Sequence, residues 1–228
     1  MIKKIKSIFI SDVHIGMSFS NLNLLYNTLE KYNFENIYLV GDTLDTWMPN
    51  YKKNIKIFEQ FLHYLLKKEC NIYITPGNHD AYLENFKILK NKKIHIQKFF
   101  YYTINNKKFL ITHGDIFDEF KNIYLSKIGH YIYNSLFYIN KLTHLKISFY
   151  SKIYAKKFFV LPKFKQNIYN YLVKNNIDGI ICGHIHYPEK IKINNKLYIN
   201  CGDWLDSNSY IIDDNNELKL IFKNHISS

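Results

Sequence analysis

Residues 36–45 read Asn-Ile-Tyr-Leu-Val followed by Gly-Asp-Thr-Leu-Asp. A run of β-formers that stops at Gly-Asp specifies a buried strand that hands a carboxylate, Asp42, to the loop at its C-terminal end. In open α/β sheets that edge is where ligands are held. Chemically similar groups recur after other apolar runs: Asp12-Val13-His14, Asn78-His79-Asp80, His113-Gly114-Asp115 and His184-Ile185-His186. Few folds satisfy so many strand ends carrying so many metal-type side chains. The economical reading is a sheet edge that gathers them around Asp42, which would bridge two metal ions.

The order of elements agrees with such an edge. A strand pattern at 7–11 is followed by helical spacing over 21–32, the strand at 36–40, a helix over 54–68 and a third strand at 71–75 closed by Pro76-Gly77. This βαβαβ order predicts a largely parallel sheet with right-handed crossovers. Shorter strands are expected at 94–96, 99–104 and 108–112, and another at 178–182. Hairpins follow, pairing 189–193 with 196–200 and 210–212 with 218–222, their turns marked by Asn194-Asn195 and Asp214-Asn215-Asn216. Residues 120–177 differ, with ten lysines, no Asp or Glu, and dense Tyr, Phe, Ile and Leu. That stretch reads as two helices up to about 159 and another over 163–175. The division expected is one domain, 1–228, with a helical cap inserted at about 119–160.

A chain of 228 residues can bury a substantial core. Hydrophobic residues at 47% and charged residues at 22% describe a globular, soluble chain rather than a disordered one. No apolar run is long enough to span a bilayer, and the N-terminus carries no export-signal pattern. Three cysteines without a C-x-x-C pair (Cys70, Cys182, Cys201) read as buried thiols in a reducing cytosol. The net charge of +12 comes entirely from lysine, since arginine is absent. With the heavy use of Ile, Asn and Tyr, part of that bias reflects an AT-rich genome. The charge still draws anionic partners: phosphate substrates, acidic headgroups or nucleic acid.

Singly, Asp-x-His or Gly-Asp is most often a surface pair or a turn. Histidines two apart on an extended segment point the same way and can approach one centre. Two divalent ions about 3.5–4 Å apart need a shared anionic ligand and mixed nitrogen and oxygen donors. Imidazole, carboxylate and amide oxygen suit Mn²⁺ first, with Fe²⁺ or Zn²⁺ as alternatives.

The set Asp12-x-His14, Gly41-Asp42-x-x-Asp45, Gly77-Asn78-His79-Asp80, His113-Gly114-Asp115 and Gly183-His184-x-His186 resembles the calcineurin-type metallophosphoesterase superfamily. The resemblance implies a four-layer αββα sandwich. One ion would be held by Asp12, His14, Asp42 and His186, the other by Asp42, Asn78, His113 and His184. His79 would act catalytically on the phosphate or leaving group, oriented by Asp45. Thr112-His113-Gly114-Asp115-x-Phe117-Asp118, the insert, and Asn200-Cys201-Gly202-Asp203-Trp204 further resemble the UDP-2,3-diacylglucosamine pyrophosphatase family. That narrower resemblance implies cleavage of a UDP-linked glycolipid in lipid A biosynthesis, giving UMP and 2,3-diacylglucosamine 1-phosphate at the cytoplasmic membrane face. The best-known branch has arginine where this chain has His79.

A basic, aromatic cap resting on an anionic membrane surface agrees with that substrate; a plain solvated helical face is the alternative. Lys152, Lys156 and Lys157 are candidate phosphate contacts. Asp118 is either a helix N-cap or a substrate contact. Trp204 is expected in the core, and Asp203 either supports a ligand histidine or serves a hairpin turn. Two rival functions remain: a phosphoesterase of other specificity, such as a nuclease or nucleotide phosphodiesterase, and a non-catalytic binding scaffold. The insert's mixed aliphatic and aromatic content disfavours nucleic acid.

Overall fold

The computed structural model describes residues 2–17, 19–47, 51–83, 87–118 and 161–223. The chain divides into two units, Met1–Asp115 with Leu172–Ser228, and Ile116–Tyr171. Of the second, residues 116–118 and 161–171 are described. The expected cap at 119–160, including Lys152, Lys156 and Lys157, lies outside the described residues.

The first unit holds two sheets. Strands β1 (Lys3–Ile10), β2 (Tyr32–Val40), β3 (Asn71–Thr75) and β4 (Ile94–Ile96) run parallel, joined through α1 (Leu22–Leu29) and α2 (Tyr51–Lys67). The C-terminal hairpin of β10 (Ser209–Asp214) and β11 (Glu217–Phe222) adds antiparallel to β1, for the order β11-β10-β1-β2-β3-β4. The second sheet has the order β5-β6-β7-β9-β8. Its strands are β5 (Phe100–Ile104), β6 (Lys107–Ile111), β7 (Gly179–Cys182), β8 (Glu189–Ile193) and β9 (Lys196–Asn200). Helix α3 (Leu161–Lys174) precedes β7 and buries Leu161, Phe164, Ile168 and Leu172 along one stripe. The α/β class expected from the sequence is the class observed.

Strand alternation sorts the side chains into two cores. Ile8 and Ile10 of β1, Ile37 and Leu39 of β2, and Ile72 and Ile74 of β3 join Leu25 and Leu29 of α1 and Phe58, Phe61, Leu62 and Leu65 of α2. The α2 residues recur at helical spacing, so one stripe covers the sheet. The intervening Phe9, Tyr38 and Val40 turn the other way, against Tyr102, Phe109, Ile111, Ile181 and Ile199 of the second sheet. Because β1, β2 and β3 are in register, Phe9, Tyr38 and Tyr73 stack across the strands with centroids 4.8 and 4.6 Å apart. Trp204 is fully buried beside Tyr210, a core residue as expected.

The junction of α1 and β2 departs from the sequence reading. Helical spacing suggested a helix up to about residue 32, but α1 ends at Leu29 and β2 begins at Tyr32. The cause is pairing at a distance: Lys3 and Lys4 register with Tyr32 and Asn33, and the ladder claims residues whose local spacing suits either state.

Candidate metal centre

Each motif leaves a parallel strand at its C-terminal end: Asp12 and His14 follow β1, Asp42 and Asp45 follow β2, Asn78 and His79 follow β3, His113 follows β6, and His184 and His186 follow β7. Main-chain hydrogen bonds lace the loops together. Asp12 N–H donates to Gly41 O (3.1 Å), His14 N–H to Asp42 O (2.9 Å), and Gly183 N–H to His113 O (2.9 Å). Asp12, His14, Asp42, His184 and His186 all have φ between 48° and 68°. Left-handed backbone is uncommon outside glycine, although Asp and His tolerate it better than most, and strain of this kind concentrates at functional sites. The neighbouring glycines leave necessary room: a Cβ at Gly77 would overlap Asp42 Oδ1, and one at Gly183 would overlap Ser11 Oγ and Asp12 Oδ2.

The loops bring three groups of donor atoms within 4.8 Å of one another: Asp12, His14 and His186; His14, Asp42 and His79; Asp12, Asp42 and His113. Each acidic residue divides its oxygens. Asp12 Oδ2 accepts from Ser11 Oγ and from His184 N–H (3.0 Å), leaving Oδ1 buried with no hydrogen-bond partner, 3.1 Å from His186 Nε2 and 3.8 Å from His14 Nε2. Asp42 Oδ1 accepts from His79 N–H (2.8 Å), while Oδ2 faces His113 Nε2 at 3.2 Å and His14 Nε2 at 3.9 Å. One Asp42 oxygen thus serves the main chain, and only Oδ2 is directed at the imidazoles. Asn78 Oδ1 lies 3.3 Å from His113 Nε2, and the His184 ring meets that of His113 edge-on at 5.1 Å.

Three imidazoles are held from behind through Nδ1, which turns Nε2 inward. Nδ1 of His14 is 3.2 Å from Asp45 Oδ2, that of His186 is 3.1 Å from Asp203 Oδ2, and that of His113 is 3.1 Å from Val40 O. Such outer partners set the tautomer and orientation of ligand histidines. Asp203 combines the two roles left open by the sequence. Its Oδ1 accepts N–H groups from Leu205, Asp206 and Ser207 (2.8–3.1 Å), closing a turn, and this holds Oδ2 against His186.

The electrostatics ask for positive charge at this point. Burial would raise the carboxyl pKa of Asp12, but the charge of His186 and the closeness of the His14 and His186 imidazoles hold it well below the usual range. Asp42 and Asp45 are likewise lowered against burial by their histidine neighbours. Burial disfavours the His14 imidazolium, yet the adjacent Asp12 carboxylate, the hydrogen bond to Asp45 and the Asp42 charge push its pKa up to about 10; His113 is raised chiefly by Asp42. Crowded carboxylates in a dry pocket thus hold protons on the imidazoles, and a divalent cation satisfies the same demand. The orphaned Asp12 oxygen and the convergent Nε2 atoms fit a metal ion.

Of the predicted ligands, Asp12, His14, Asp42, His113 and His186 share these donor groups, Asn78 reaches them through His113, and His184 adjoins them through its ring contact with His113 and its main-chain N–H. His79 and Asp45 also meet, with Nδ1 and Oδ2 3.2 Å apart. Asp118 follows the short 3-10 turn Asp115–Phe117 in the second unit and is half-buried. Sequence reasoning quoted Asp80 but gave it no separate role. The structure makes it the clamp between two loops: Oδ2 accepts from Thr43 and Leu44 N–H (2.7 and 3.2 Å), and Oδ1 from Gly77 N–H (2.6 Å). Burial and the Asp42 charge push its pKa up to about 7, against those bonds. Ser11, which fixes Asp12, was read only as a strand end, and Trp47 was not singled out.

A buried His–Asp cluster at the parallel strand ends of a two-sheet α/β fold defines a metal-dependent phosphoesterase centre. The chain belongs to the calcineurin-like phosphoesterase family, whose model matches residues 5–188, and it is a metal-dependent phosphoric ester or anhydride hydrolase. It is 28% identical over 240 aligned positions to the UDP-2,3-diacylglucosamine hydrolase of Wigglesworthia glossinidia brevipalpis, covering 94% of this chain and 93% of that protein. Identity to the UDP-2,3-diacylglucosamine hydrolase of Vibrio atlanticus is 24% over 227 positions, covering 91% and 93%. Among solved structures, an archaeal phosphodiesterase aligns over 95% of this chain and 99% of its own, with a TM-score of 0.48 and 19% identity. No helix among the described residues is long and apolar enough to cross a membrane.

Proposed function

We propose that the protein hydrolyses the pyrophosphate of UDP-2,3-diacylglucosamine, giving UMP and 2,3-diacylglucosamine 1-phosphate in lipid A biosynthesis. The carrying observation is the single Asp42 oxygen turned toward imidazoles from separate loops. The choice of substrate is supported by the shared name of the relatives and by the Asn200-Cys201-Gly202-Asp203-Trp204 motif.

Asp12, His14, Asp42 and His186 would hold one divalent ion, and Asp42, Asn78, His113 and His184 would hold a second, with Mn²⁺ the natural choice for these donors. When bound, the ions neutralise phosphate oxygens and acidify water. The chain's own residues do the positioning. Asp42 Oδ2 sets the shared point, and Ser11 and the His184 N–H keep Asp12 Oδ1 turned inward. Asp45 keeps Nδ1 of His79 engaged, so Nε2 meets the phosphate or its leaving oxygen. On their sequence pattern alone, Lys152, Lys156 and Lys157 are the proposed phosphate contacts and Asp118 a proposed substrate contact. The lysine-rich surface brings the enzyme to the anionic inner face of the cytoplasmic membrane as a peripheral, cytoplasmic protein.

The test is a paired assay with Mn²⁺ on UDP-2,3-diacylglucosamine in mixed micelles and on single-stranded DNA. UMP release with intact DNA is expected. DNA cleavage without UMP would overturn the substrate, and no turnover of either, or of a chromogenic phosphodiester, would favour a scaffold.

A further inference from the structure

We infer that Trp47 is a positioning residue for His79, the third member of a contiguous cradle formed by Asp45, Thr46 and Trp47. The inference rests on the phosphoesterase reading above and adds a residue that neither the motifs nor the ligand set include.

The Trp47 indole lies nearly flat on the His79 imidazole, with centroids 3.7 Å apart and planes 23° from parallel. The His14 ring meets the same imidazole edge-on at 4.7 Å. Each remaining handle on His79 is also occupied. Nδ1 is bonded to Asp45 Oδ2, the main-chain N–H donates to Asp42 Oδ1, and the carbonyl accepts from both Thr46 N–H (3.2 Å) and Thr46 Oγ1. Trp47 acts a second time through its own N–H, which donates to Asp45 Oδ1 at 2.9 Å and so steadies the carboxylate that engages the imidazole. What stays directed at the centre is Nε2, 3.9 Å from Asp42 Oδ2, on a residue that retains 7% exposure.

The physical need for the stack is specific. A ring hydrogen-bonded at one nitrogen can still rock, because the terminal torsion of histidine is broad. Rocking about the Nδ1 bond sweeps Nε2 sideways. A face-on aromatic contact opposes that motion. Displacing a reacting group by about 1 Å can cost on the order of 10²-fold in rate. The two tryptophans also differ in kind: Trp204 is fully buried in the helix-side core, whereas Trp47 is half-buried and, among the described residues, lies outside both cores.

Two measurements test this. With only two tryptophans in the chain, the emission of metal-free protein reports the stack, because an imidazole in face contact quenches indole. His79→Ala should raise emission, and the rise should vanish in the Trp47→Phe background; unchanged emission overturns the contact. With Mn²⁺ and bis(p-nitrophenyl) phosphate, Trp47→Ala should lower kcat about 10–100-fold with bound metal unchanged, and KM should stay within about threefold. Trp47→Phe should recover most of kcat. An active wild type whose Trp47→Ala variant keeps its kcat overturns this inference alone. So does a variant that loses rate and metal together, with no rescue by phenylalanine. An inactive wild type overturns the phosphoesterase reading and this inference with it.

Discussion

The two halves of the proposed metal centre are supported by different chemistry. On the β1 and β7 side, His14 and His186 are each backed by a carboxylate, Asp45 and Asp203. On the β2, β3 and β6 side, His113 is backed by the neutral carbonyl of Val40, and its Nε2 shares space with the amide oxygen of Asn78. A carboxylate behind an imidazole raises its basicity and strengthens its hold on a cation. A carbonyl fixes direction without adding charge. On the proposed division, one half is built for retention and the other for geometry, with Asp42 common to both.

The severest way to break the comparison is to remove what the halves share. Asp42→Ala should leave the protein without bound metal and without detectable turnover, as read by elemental analysis beside a phosphodiester assay. Retention of metal in one half would show that Asp42 is not shared. Next comes the charged support: Asp203→Asn should weaken one of two Mn²⁺ sites by about 10–100-fold while sparing the other, seen as a split in a calorimetric titration. Uniform weakening of both would erase the distinction between halves.

A third probe uses pH in the absence of metal. His14 has its pKa raised to about 10, so the folded state holds a proton that the unfolded state releases near the ordinary histidine value of about 6.5. The stabilisation is complete below that value and is lost as pH rises through the folded pKa. Between these limits, chelated protein should lose stability at up to about 1.4 kcal/mol per pH unit for this group. His14→Gln should flatten the slope in thermal melts, and saturating Mn²⁺ should flatten it in the wild type. The smallest effect expected is that of Ser11→Ala, which removes the hydroxyl holding Asp12 Oδ2 and Val40 O. It should cost about 1 kcal/mol in denaturant melts and loosen the Asp12 half only.

Much of this was legible before any coordinates, for a physical reason that differs by feature. The motif loops were readable because a strand-like apolar run ending in Gly-Asp or Gly-His is a local signal. The hairpins 189–200 and 209–222 were readable because their Asn-rich turns carry the left-handed residues that such turns require, seen at Asn194, Asn215 and Asn216. The start of β2 was not readable, since its first residues are strand only through pairing with Lys3 and Lys4. Asp80 and Trp47 escaped for a related reason. Their partners, Thr43, Leu44 and His79, lie 32 to 37 positions away in sequence, and periodicity cannot report a partner across loops.

The sequence by itself determined which groups stand at strand ends, the order of elements, and the excess of lysine. Only the tertiary structure decided how the strands divide between two sheets, because an apolar run reports a buried face but not which layer buries it. It likewise decided that one oxygen of Asp12 and one of Asp42 are spent on the protein and one of each is left for the centre. That choice depends on donors from His184 and His79, and carboxylate oxygens are equivalent until the fold puts a donor beside one of them.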